Sequence, residues 1–373
     1  MDFGFQTAAR IIFGPGTFGQ LPELAAGLGK RALVVQGSTA RHKIAGIPLS
    51  IEGEPTFDVV RDGAQLALEE QCDFVIGIGG GSVLDAAKAI AMLMTNGGDP
   101  LDYAEVIGRG KSIDQPSAPF IAVPTTAGTG SEVTRNAVLG SPEQKVKVSL
   151  RSPHMLARVA LVDPELALGL PRAITASTGM DALSQLIEPF VSHRANPMTN
   201  ALCREGIRRA ARSLALACEN GAHLVAREDL AVASLFSGMA LANAGLGAVH
   251  GLAAPVGGMF PAPHGAVCAA LLAPVMETNV RALRAGYPGS FALSRYAEIA
   301  QIVTGKPAAR IEDGVAWVRD LAQRLEIPGL GTYGITAADF AALSEMAAMS
   351  SSMKGNPIKL TRDELHGILV LSR

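Results

Sequence analysis

The chain has 373 residues, of which 48% are hydrophobic and 18% are charged, and glycine fills 41 positions. This composition excludes a disordered chain, because disorder combines low hydrophobicity with high net charge. The 32 basic and 34 acidic side chains give a formal net charge of −2. Such a balance gives no electrostatic reason to expect nucleic acid or an anionic membrane surface as a partner.

The first half of the chain alternates short β-branched runs with helical patterns. Strands are predicted at residues 31–36, 74–78, 120–123 and 160–162. Apolar residues recur at helical spacing in residues 64–71 and 83–94. Strand, glycine turn and helix in repeated succession are typical of a parallel α/β sheet.

Beyond residue 166 the strand patterns end and helical patterns take over. Helices are predicted at residues 174–191, 198–218, 227–244, 292–304, 311–325 and 337–349. Proline and glycine punctuate residues 163–171. The sequence therefore predicts an α/β N-terminal domain over residues 1–165 and an all-helical C-terminal domain over residues 166–373.

Cysteine usage and one uncharged segment bear on where the protein resides. Cys72, Cys203, Cys218 and Cys268 are scattered and form no CxxC pair, which predicts a reduced, cytoplasmic protein. The first residues lack the basic and apolar regions of a secretion signal. Residues 230–276 contain no Asp, Glu, Lys or Arg, but prolines, glycines and two histidines interrupt the apolar run. We therefore expect a buried helix over residues 230–244, the most helix-like piece of this segment, and no membrane span.

Two loops that follow predicted strands have the composition of phosphate-binding turns. Gly79, Gly80, Gly81 and Ser82 open a helix, whose N-terminus offers free N–H groups and partial positive charge to a phosphate. The alternative is a tight turn that needs glycine only for its backbone angles. Residues 124–132 (PTTAGTGSE) are rich in hydroxyls but lack the P-loop lysine. The two loops support each other, because ligands bind at the carboxyl ends of parallel strands.

A third strand end bears on the choice of cofactor. Gly37, Ser38 and Thr39 follow the first predicted strand, with Arg41 close behind. An acidic residue at such a position binds the ribose 2′-hydroxyl of NAD, whereas small or basic groups admit a 2′-phosphate. The pattern therefore favours NADP(H) over NAD(H) if a dinucleotide binds here.

A carboxylate and two histidines form a candidate metal site. Asp181 and Gln185 are four residues apart, which places them on one helical face. His250 and His264 lie in the uncharged segment, and two histidines with a carboxylate are typical metal ligands. Alternatively, Asp181 caps a helix and the histidines are structural. The remaining histidines, interpreted as surface or structural residues, are His42, His154, His193, His223 and His366.

Taken in order, these motifs resemble the iron-containing (group III) alcohol dehydrogenases, a family with the dehydroquinate-synthase-like fold. The resemblance runs nearly end to end. Its motifs are IFGPG at residues 12–16, GGGSVLDAAKAIA at 79–91, PTTAGTGSEVT at 124–134, DPELALGLP at 163–171, TGMDAL at 178–183, two His-Gly dipeptides at His250 and His264 with twelve residues between them, and Asn356-Pro357. The set in this order is specific to the family.

The resemblance implies that a nicotinamide dinucleotide binds the N-terminal sheet. Gly80, Gly81 and Ser82 match the positions that hold the pyrophosphate. The family's other cofactor-contacting positions correspond to Asp85, Thr125, Thr126, Thr129, Asn136 and Lys147. The resemblance alone points to Asn136 and Lys147.

The resemblance also implies a divalent metal, Fe(II) first and Zn(II) second. In the family an Asp, a His one helical turn later and two further His hold the metal, and Asp181, His250 and His264 match three of these positions. Gln185 occupies the fourth, and Ala254 replaces another family histidine near the nicotinamide. An amide oxygen is a weaker ligand than imidazole for Fe(II) or Zn(II), so we expect weaker metal binding or a different metal.

The implied activity is a metal-assisted, NAD(P)-dependent interconversion of an alcohol with an aldehyde or ketone. Asp181, His250 and His264 would form its catalytic centre, a small alcohol or carbonyl compound would be its substrate, and a homodimer is compatible with the family. One alternative is the reduction of an oxo-acid, as in maleylacetate reductases, for which Arg135, Arg151 and Arg194 could bind carboxylates. Another is a non-catalytic paralogue whose metal site has decayed. A lyase of the dehydroquinate-synthase type shares the fold, but its motifs are less similar.

Overall fold

The computed structural model describes residues 2–38 and 42–373, and the chain divides into two compact units. The sheet unit comprises Gln6–Thr126 and Gly130–Leu168. The helical unit comprises Gly169–Arg373 together with Ala127–Thr129 and the first residues of the chain. The main division, between Leu168 and Gly169, lies within the proline- and glycine-punctuated segment.

The sheet unit is built on a parallel sheet. Its order is β1-β8-β5-β4-β2-β3, and every neighbouring pair is parallel. A separate antiparallel pair is formed by β6 and β7. The strands are β1 Ile11–Phe13, β2 Ala32–Gly37, β3 Ile47–Ile51, β4 Phe74–Gly79, β5 Phe120–Pro124, β6 Asn136–Ser141, β7 Val146–Arg151 and β8 Val159–Val162.

The central strands are those that the sequence predicted. All six residues of β4 and all five of β5 are buried, which explains why they are continuous apolar runs. The predictions missed β1, β3, β6 and β7. The alternation of β7, VKVSLR, with a turn at Pro142, was a usable signal for a hairpin.

Four helices belong to the sheet unit and nine to the helical unit in the described part of the chain. The first four are α1 Leu21–Ala26, α2 Phe57–Glu69, α3 Gly81–Asn96 and α4 Pro100–Tyr103. The others are α5 Arg172–Val191, α6 Pro197–Glu219, α7 Leu224–Ala244, α8 Ala248–Met259, α9 His264–Gly286, α10 Phe291–Thr304, α11 Ile311–Arg324, α12 Phe340–Met349 and α13 Arg362–Leu371. An α/β N-terminal part followed by an all-helical part confirms the predicted fold class.

The sequence patterns predicted neither α8 nor α9. Each contains an internal proline, Pro255 in α8 and Pro274 in α9, and α8 also contains several glycines. Such residues normally weaken a helix. Here most of the apolar side chains of both helices lie in the core of the helical unit, and this tertiary packing stabilises them.

Helix α5 is the most deeply buried element of the helical unit. Every residue from Gly179 to Val191 is buried, and the helix packs against α6, α7 and α9. Asp181 lies in the middle of α5, so the alternative that it caps a helix is wrong. Asp181, Gln185 and Glu188 recur at helical spacing and form a polar stripe on this otherwise apolar core helix.

Within the described residues, one helix has the length and composition of a membrane span. This is α9, whose most apolar window has a mean hydropathy of 1.3 and is 78% buried inside the protein. Helices α7 and α8 pass the same test only together, and they are bent by 100°. Such burial is typical of a core helix.

Candidate active site

The polar stripe of α5 meets two histidines from α8 and α9. The Nε2 atom of His250 lies 3.3 Å from Asp181 Oδ1, and the Nε2 atom of His264 lies 3.8 Å from the same oxygen. His250 is on the first turn of α8, and His264 is the first residue of α9. The structure therefore brings together three of the four predicted metal ligands, each from a different helix.

A fourth donor atom, which no sequence pattern indicated, completes the cluster. Cys268 lies one turn after His264 on α9, and its Sγ atom is 3.6 Å from His264 Nε2 and 3.8 Å from His250 Nε2. The donor atoms of Asp181, His250, His264 and Cys268 all lie within 4.8 Å of one another. The i, i+4 spacing of His264 and Cys268 was the signal that could have predicted this pair.

The arrangement passes a direct test for a metal site. Asp181 is 2% exposed, and among the described residues no group hydrogen-bonds to its Oδ1 atom. A buried carboxylate oxygen without a partner is costly, because its desolvation is not compensated. A divalent cation bound by the two imidazoles would supply that compensation, so the residues fit the metal that the family implies.

Gln185 contacts the cluster without joining it. Its Nε2 atom donates to Asp181 Oδ2 at 3.2 Å, and its Oε1 atom accepts from Ser237 Oγ at 3.0 Å. The reverse orientation of the amide would place two oxygens against each other. The amide oxygen predicted to bind a metal is therefore engaged by Ser237 in this structure, and the side chain holds Asp181 in place.

Glu188 orients His250 from the far side of the ring. Its Oε2 atom lies 2.6 Å from His250 Nδ1, and its Oε1 atom accepts from the backbone N–H of Val249 at 2.7 Å. A proton on Nδ1 then leaves the Nε2 lone pair directed at the cluster. This carboxylate–histidine pair is the usual support for a histidine that binds a metal. Sequence spacing on α5 was the only signal for Glu188.

The helix that carries His250 is also held from the C-terminal part of the chain. Asn356 Oδ1 accepts from the backbone N–H of Ala248 at the start of α8, and Asn356 exchanges two hydrogen bonds with Asn279 of α9. A Cβ at Gly247 would lie 2.8 Å from that Asn356 oxygen and 2.9 Å from Glu188 Oε1. The Asn-Pro motif near the C-terminus thus positions the histidine helices.

The charges of the cluster shift the pKa values of its members. Burial raises the pKa of the Asp181 carboxyl, but the imidazoles of His264 and His250 outweigh it and hold the pKa below its usual value. The Cys268 sulfur and the Asp181 carboxylate outweigh burial and raise the pKa of His264 to about 9. The pKa of His250 is also raised, because Cys268 and Glu188 outweigh its burial. The surroundings of the two imidazoles therefore stabilise positive charge at this point.

In the sheet unit, the predicted phosphate loops lie at neighbouring strand ends. The backbone N–H of Thr125 donates to the carbonyl oxygen of Gly79, and a Cβ at Gly80 would lie 3.3 Å from Thr126 Oγ1. Helix α3 begins at Gly81, directly after β4, with Ser82 in its first turn. Because β2 is the other neighbour of β4, Gly37 and Ser38 end a strand on the same edge. Thr39 and Arg41 lie outside the described residues.

The other predicted cofactor residues have varied surroundings. Asp85 accepts from Ser131 Oγ at 2.5 Å and from the backbone N–H of Val138 at 3.0 Å, so its carboxylate fastens α3 to the loop and to β6. Lys147 pairs with Glu54 at 3.0 Å, and Asn136 begins β6. Thr129 belongs to the short segment grouped with the helical unit.

Lys88 is a buried contact that no sequence pattern indicated. Its Nζ atom donates to Ser131 Oγ, Thr134 Oγ1 and the carbonyl oxygen of Asn136 at 2.6–3.0 Å. Asp85 is the nearest carboxylate, at 3.6 Å. Burial of the ammonium lowers the pKa of Lys88. Lys88 therefore stabilises the predicted phosphate loop at residues 124–132 and the residues that follow it, and its ammonium group is not accessible to solvent.

Models of known protein families match the sequences of both units. A family model described as iron-containing alcohol dehydrogenase matches residues 8–164, and the model of that family's C-terminal part matches residues 175–372. The chain belongs to the iron-containing alcohol dehydrogenase family. The predicted resemblance is thereby confirmed. The protein is an oxidoreductase of the kind that interconverts alcohols with aldehydes or ketones, and the family implies a nicotinamide cofactor and a metal.

Individual relatives cover nearly the whole chain. A 1,3-propanediol dehydrogenase of Klebsiella pneumoniae is 37% identical, over 96% of this chain and 95% of the relative. A crystal structure of a 1,3-propanediol oxidoreductase superposes with a TM-score of 0.91 at 34% identity, with full coverage of both chains. A sulfoacetaldehyde reductase from Bifidobacterium kashiwanohense, solved with NAD+, has a TM-score of 0.85 at 27% identity and covers 99–100% of each chain.

Two of the arginines that an oxo-acid reductase would need have other partners. Arg135 donates to Gln6 at 2.9 Å, and Arg151 pairs with Glu105 at 3.4 Å. Arg194 lies 3.5 Å from where a Cβ of Gly245 would be. In the described part of the chain, these three arginines thus give no observation that favours the oxo-acid alternative over an ordinary alcohol or carbonyl substrate.

Proposed function

We propose that the enzyme interconverts small uncharged alcohols with their aldehydes or ketones, using NAD(P)(H) and a divalent metal held by Asp181, His250 and His264. The convergence of these three side chains on one buried point, with Asp181 Oδ1 lacking a hydrogen-bond partner, carries this proposal. The described groups that hydrogen-bond to Asp181 and His250 include Gln185 and Glu188, and neither is a cation that would bind a substrate carboxylate. The similarity to 1,3-propanediol dehydrogenases supports the same substrate class.

The chain's own residues would supply orientation and a dry site. A bound metal would polarise the substrate oxygen as a Lewis acid, and the nicotinamide ring would donate or accept the hydride. Glu188 keeps the proton of His250 on Nδ1, and Gln185 holds the second oxygen of Asp181. Asp181 and His250 are buried, which strengthens their electrostatic interactions, whereas the side chain of His264 is 33% exposed and marks the side of the cluster that solvent or substrate can reach.

For the cofactor, we propose that Gly80, Gly81 and Ser82 hold the pyrophosphate at the start of α3. Asp85, Thr125, Thr126, Thr129, Asn136 and Lys147 are the further proposed contacts. The absence of an acidic side chain at Gly37 and Ser38 favours NADP(H) over NAD(H). We also infer a cytoplasmic location, because all four cysteines are free thiols.

The metal role is tested by removing the metal and restoring it. Exhaustive chelation is expected to abolish turnover of a neutral aldehyde, and addition of Fe(II) or Zn(II) is expected to restore it. His250→Ala should prevent restoration, whereas the matched variant His154→Ala, at an exposed histidine of the sheet unit, should behave as the wild type. Full turnover after chelation would exclude the metal role.

Cofactor and substrate class are tested by binding and by a substrate panel. Fluorescence titration should show tighter binding of NADPH than of NADH, and the reverse order would overturn the NADP(H) preference. Neutral aldehydes and ketones should have a higher kcat/KM than carboxylated or sulfonated ones of similar size. A preference for the anionic compounds would support the oxo-acid alternative instead.

A further inference from the structure

We propose that Cys268 is the fourth protein ligand of the metal, bound through its thiolate, and that it directs the site toward Zn²⁺ rather than Fe²⁺. The inference rests on the proposed metal site and specifies its ligand set as Asp181, His250, His264 and Cys268. Gln185, at the position where the family has a histidine, would then act on Asp181 and not on the metal.

Four of the donor-to-donor distances match those of a zinc site with tetrahedral angles, to which a substrate oxygen would add as a fifth ligand. Zn–S bonds of about 2.3 Å and Zn–N or Zn–O bonds of about 2.1 Å, at tetrahedral angles, put sulfur and nitrogen about 3.6 Å apart and nitrogen and oxygen about 3.4 Å apart. The observed Sγ to Nε2 distances are 3.6 and 3.8 Å. The observed Nε2 to Oδ1 distances are 3.3 and 3.8 Å.

Two further observations separate this cysteine from an ordinary buried thiol. The partnerless Oδ1 atom of Asp181 lies in the same cluster, so a second buried group is directed at the same point. Cys203 and Cys218 are also buried, but they lie in the apolar core, where burial raises the pKa of both thiols. Cys268 is the cysteine whose sulfur lies beside two imidazoles.

The metal preference follows from the chemical type of the four proposed ligand atoms. Binding of the metal requires a thiolate and imidazoles whose Nε2 atoms carry no proton, so the thiol proton of Cys268 and any proton on those Nε2 atoms pass to solvent and the sulfur becomes a thiolate ligand. Thiolate is a soft ligand that selects Zn²⁺, whereas an amide oxygen at the same point would not. Replacing a family histidine by Gln185 therefore need not weaken the site, because Cys268 occupies the vacant coordination position.

The test uses Co²⁺ as a spectroscopic substitute for Zn²⁺ in the metal-free full-length protein. The wild type is expected to show one bound Co²⁺ per chain, intense visible bands of tetrahedral Co²⁺ and a near-ultraviolet thiolate-to-cobalt charge-transfer band. Cys268→Ser, which is nearly isosteric, should lose the charge-transfer band. It should also weaken binding by more than the roughly 10–100-fold that follows loss of an outer hydrogen-bond partner. Cys203→Ser is the matched control and should retain the band.

Competition for the metal and one more variant complete the experiment. With equal anaerobic Fe²⁺ and Zn²⁺, the wild type should take up Zn²⁺, and the bound Zn:Fe ratio should fall at least about tenfold in Cys268→Ser. Gln185→Leu should keep the charge-transfer band.

Stoichiometric Co²⁺ binding without a thiolate band would overturn the proposal while leaving the metal site of the proposed function intact. Loss of the band in Gln185→Leu but not in Cys268→Ser would also overturn it. Failure of the wild type to bind Co²⁺, Zn²⁺ or Fe²⁺ at all would overturn the proposed function as well, so the two failures are distinguishable.

Discussion

Two buried carboxyl groups in this enzyme have opposite electrostatic surroundings. Asp181 faces two imidazoles, and their charges keep the pKa of its carboxyl low despite its burial. Glu132, in the second phosphate loop, is also 2% exposed, but burial raises the pKa of its carboxyl to about 7 and the charge of Lys88 offsets this only in part. The carboxylate form of Asp181 is thus favoured and can bind a cation, whereas ionisation of Glu132 near neutral pH lowers the free energy of unfolding.

Glu132→Gln is expected to stabilise the protein in a pH-dependent way. The folded state keeps the Glu132 proton up to about pH 7, whereas the unfolded chain releases it near the ordinary value of 4.5, so the free energy of unfolding falls as pH rises through that window. Glutamine removes this titration. The variant should match the wild type near pH 4 and exceed it above pH 7, by up to about 3 kcal/mol at 1.4 kcal/mol per pKa unit.

Urea denaturation followed from pH 4 to pH 8 measures this difference. Comparing the variant with the wild type cancels the contribution of the buried Asp85, which titrates in both proteins, while Lys88 contributes to the difference because the charge of Glu132 acts on it. Glu143→Gln, at an exposed position of the same unit, is the control and should show no such trend. A difference that shrinks with increasing pH would contradict the buried, protonated state of Glu132.

At the scale of elements, the spacing of α5 and α9 sets the geometry of the cluster. A Cβ at Gly265 would lie 2.5 Å from the backbone oxygen of Ser177 and 3.4 Å from Asp181 Cβ. The first contact is with backbone and cannot be relieved by a side-chain rotation. Glycine next to His264 therefore permits the close approach that brings the imidazole to Asp181.

Gly265→Ala is expected to push α9 away from α5 and weaken metal binding by about tenfold or more, because small displacements of ligands are costly. Calorimetric titration of the metal-free protein with Zn²⁺ measures the loss. Gly286→Ala, at the other end of the same helix, meets only an ordinary contact at 3.8 Å and should leave the affinity unchanged. Equal affinities for the two variants would show that the helix spacing does not limit the site.

The same elements show how far sequence patterns reach. Strands such as β4 and β5 were predictable, because burial on both faces makes them continuous apolar runs. Helices α8 and α9 were not, because Pro255 and Pro274 oppose a helix locally and only packing in the core overrides them. Missing α9 as a helix also hid Cys268, since its position one turn after His264 has meaning only on a helix.

Glu188 illustrates a second limit of sequence reasoning. Its spacing from Asp181 and Gln185 on α5 is visible in the sequence, but its partner is 62 residues away on another helix. The resemblance to the family supplied Asp181, His250 and His264, yet it assigned the fourth ligand position to Gln185, and only the tertiary structure shows that both ends of that amide are engaged.

At the scale of the whole molecule, the described residues of the two units form separate hydrophobic cores, and the candidate metal ligands lie in the helical unit. The sheet unit has its own core, formed by residues of β2, β4, β5 and β8 with helix α1. The larger core of the helical unit includes side chains of α5, α8 and α9, which carry the whole cluster. A ligand that binds only the folded helical unit stabilises that unit by mass action.

Metal binding is therefore expected to protect the helical unit selectively. Zn²⁺ at about 100 times its Kd stabilises the bound state by about 2.7 kcal/mol, which slows amide exchange through opening of the site about 100-fold. Hydrogen exchange read by mass spectrometry should show this slowing in peptides from α5, α8 and α9, with strands β2, β4 and β5 unchanged.

Trp317, the one tryptophan of the chain, lies on α11 and gives a fluorescence signal for the helical unit. His250→Ala should abolish the effect of the metal, and slowing confined to the strands, or absent from all three helices, would contradict a metal site on α5, α8 and α9.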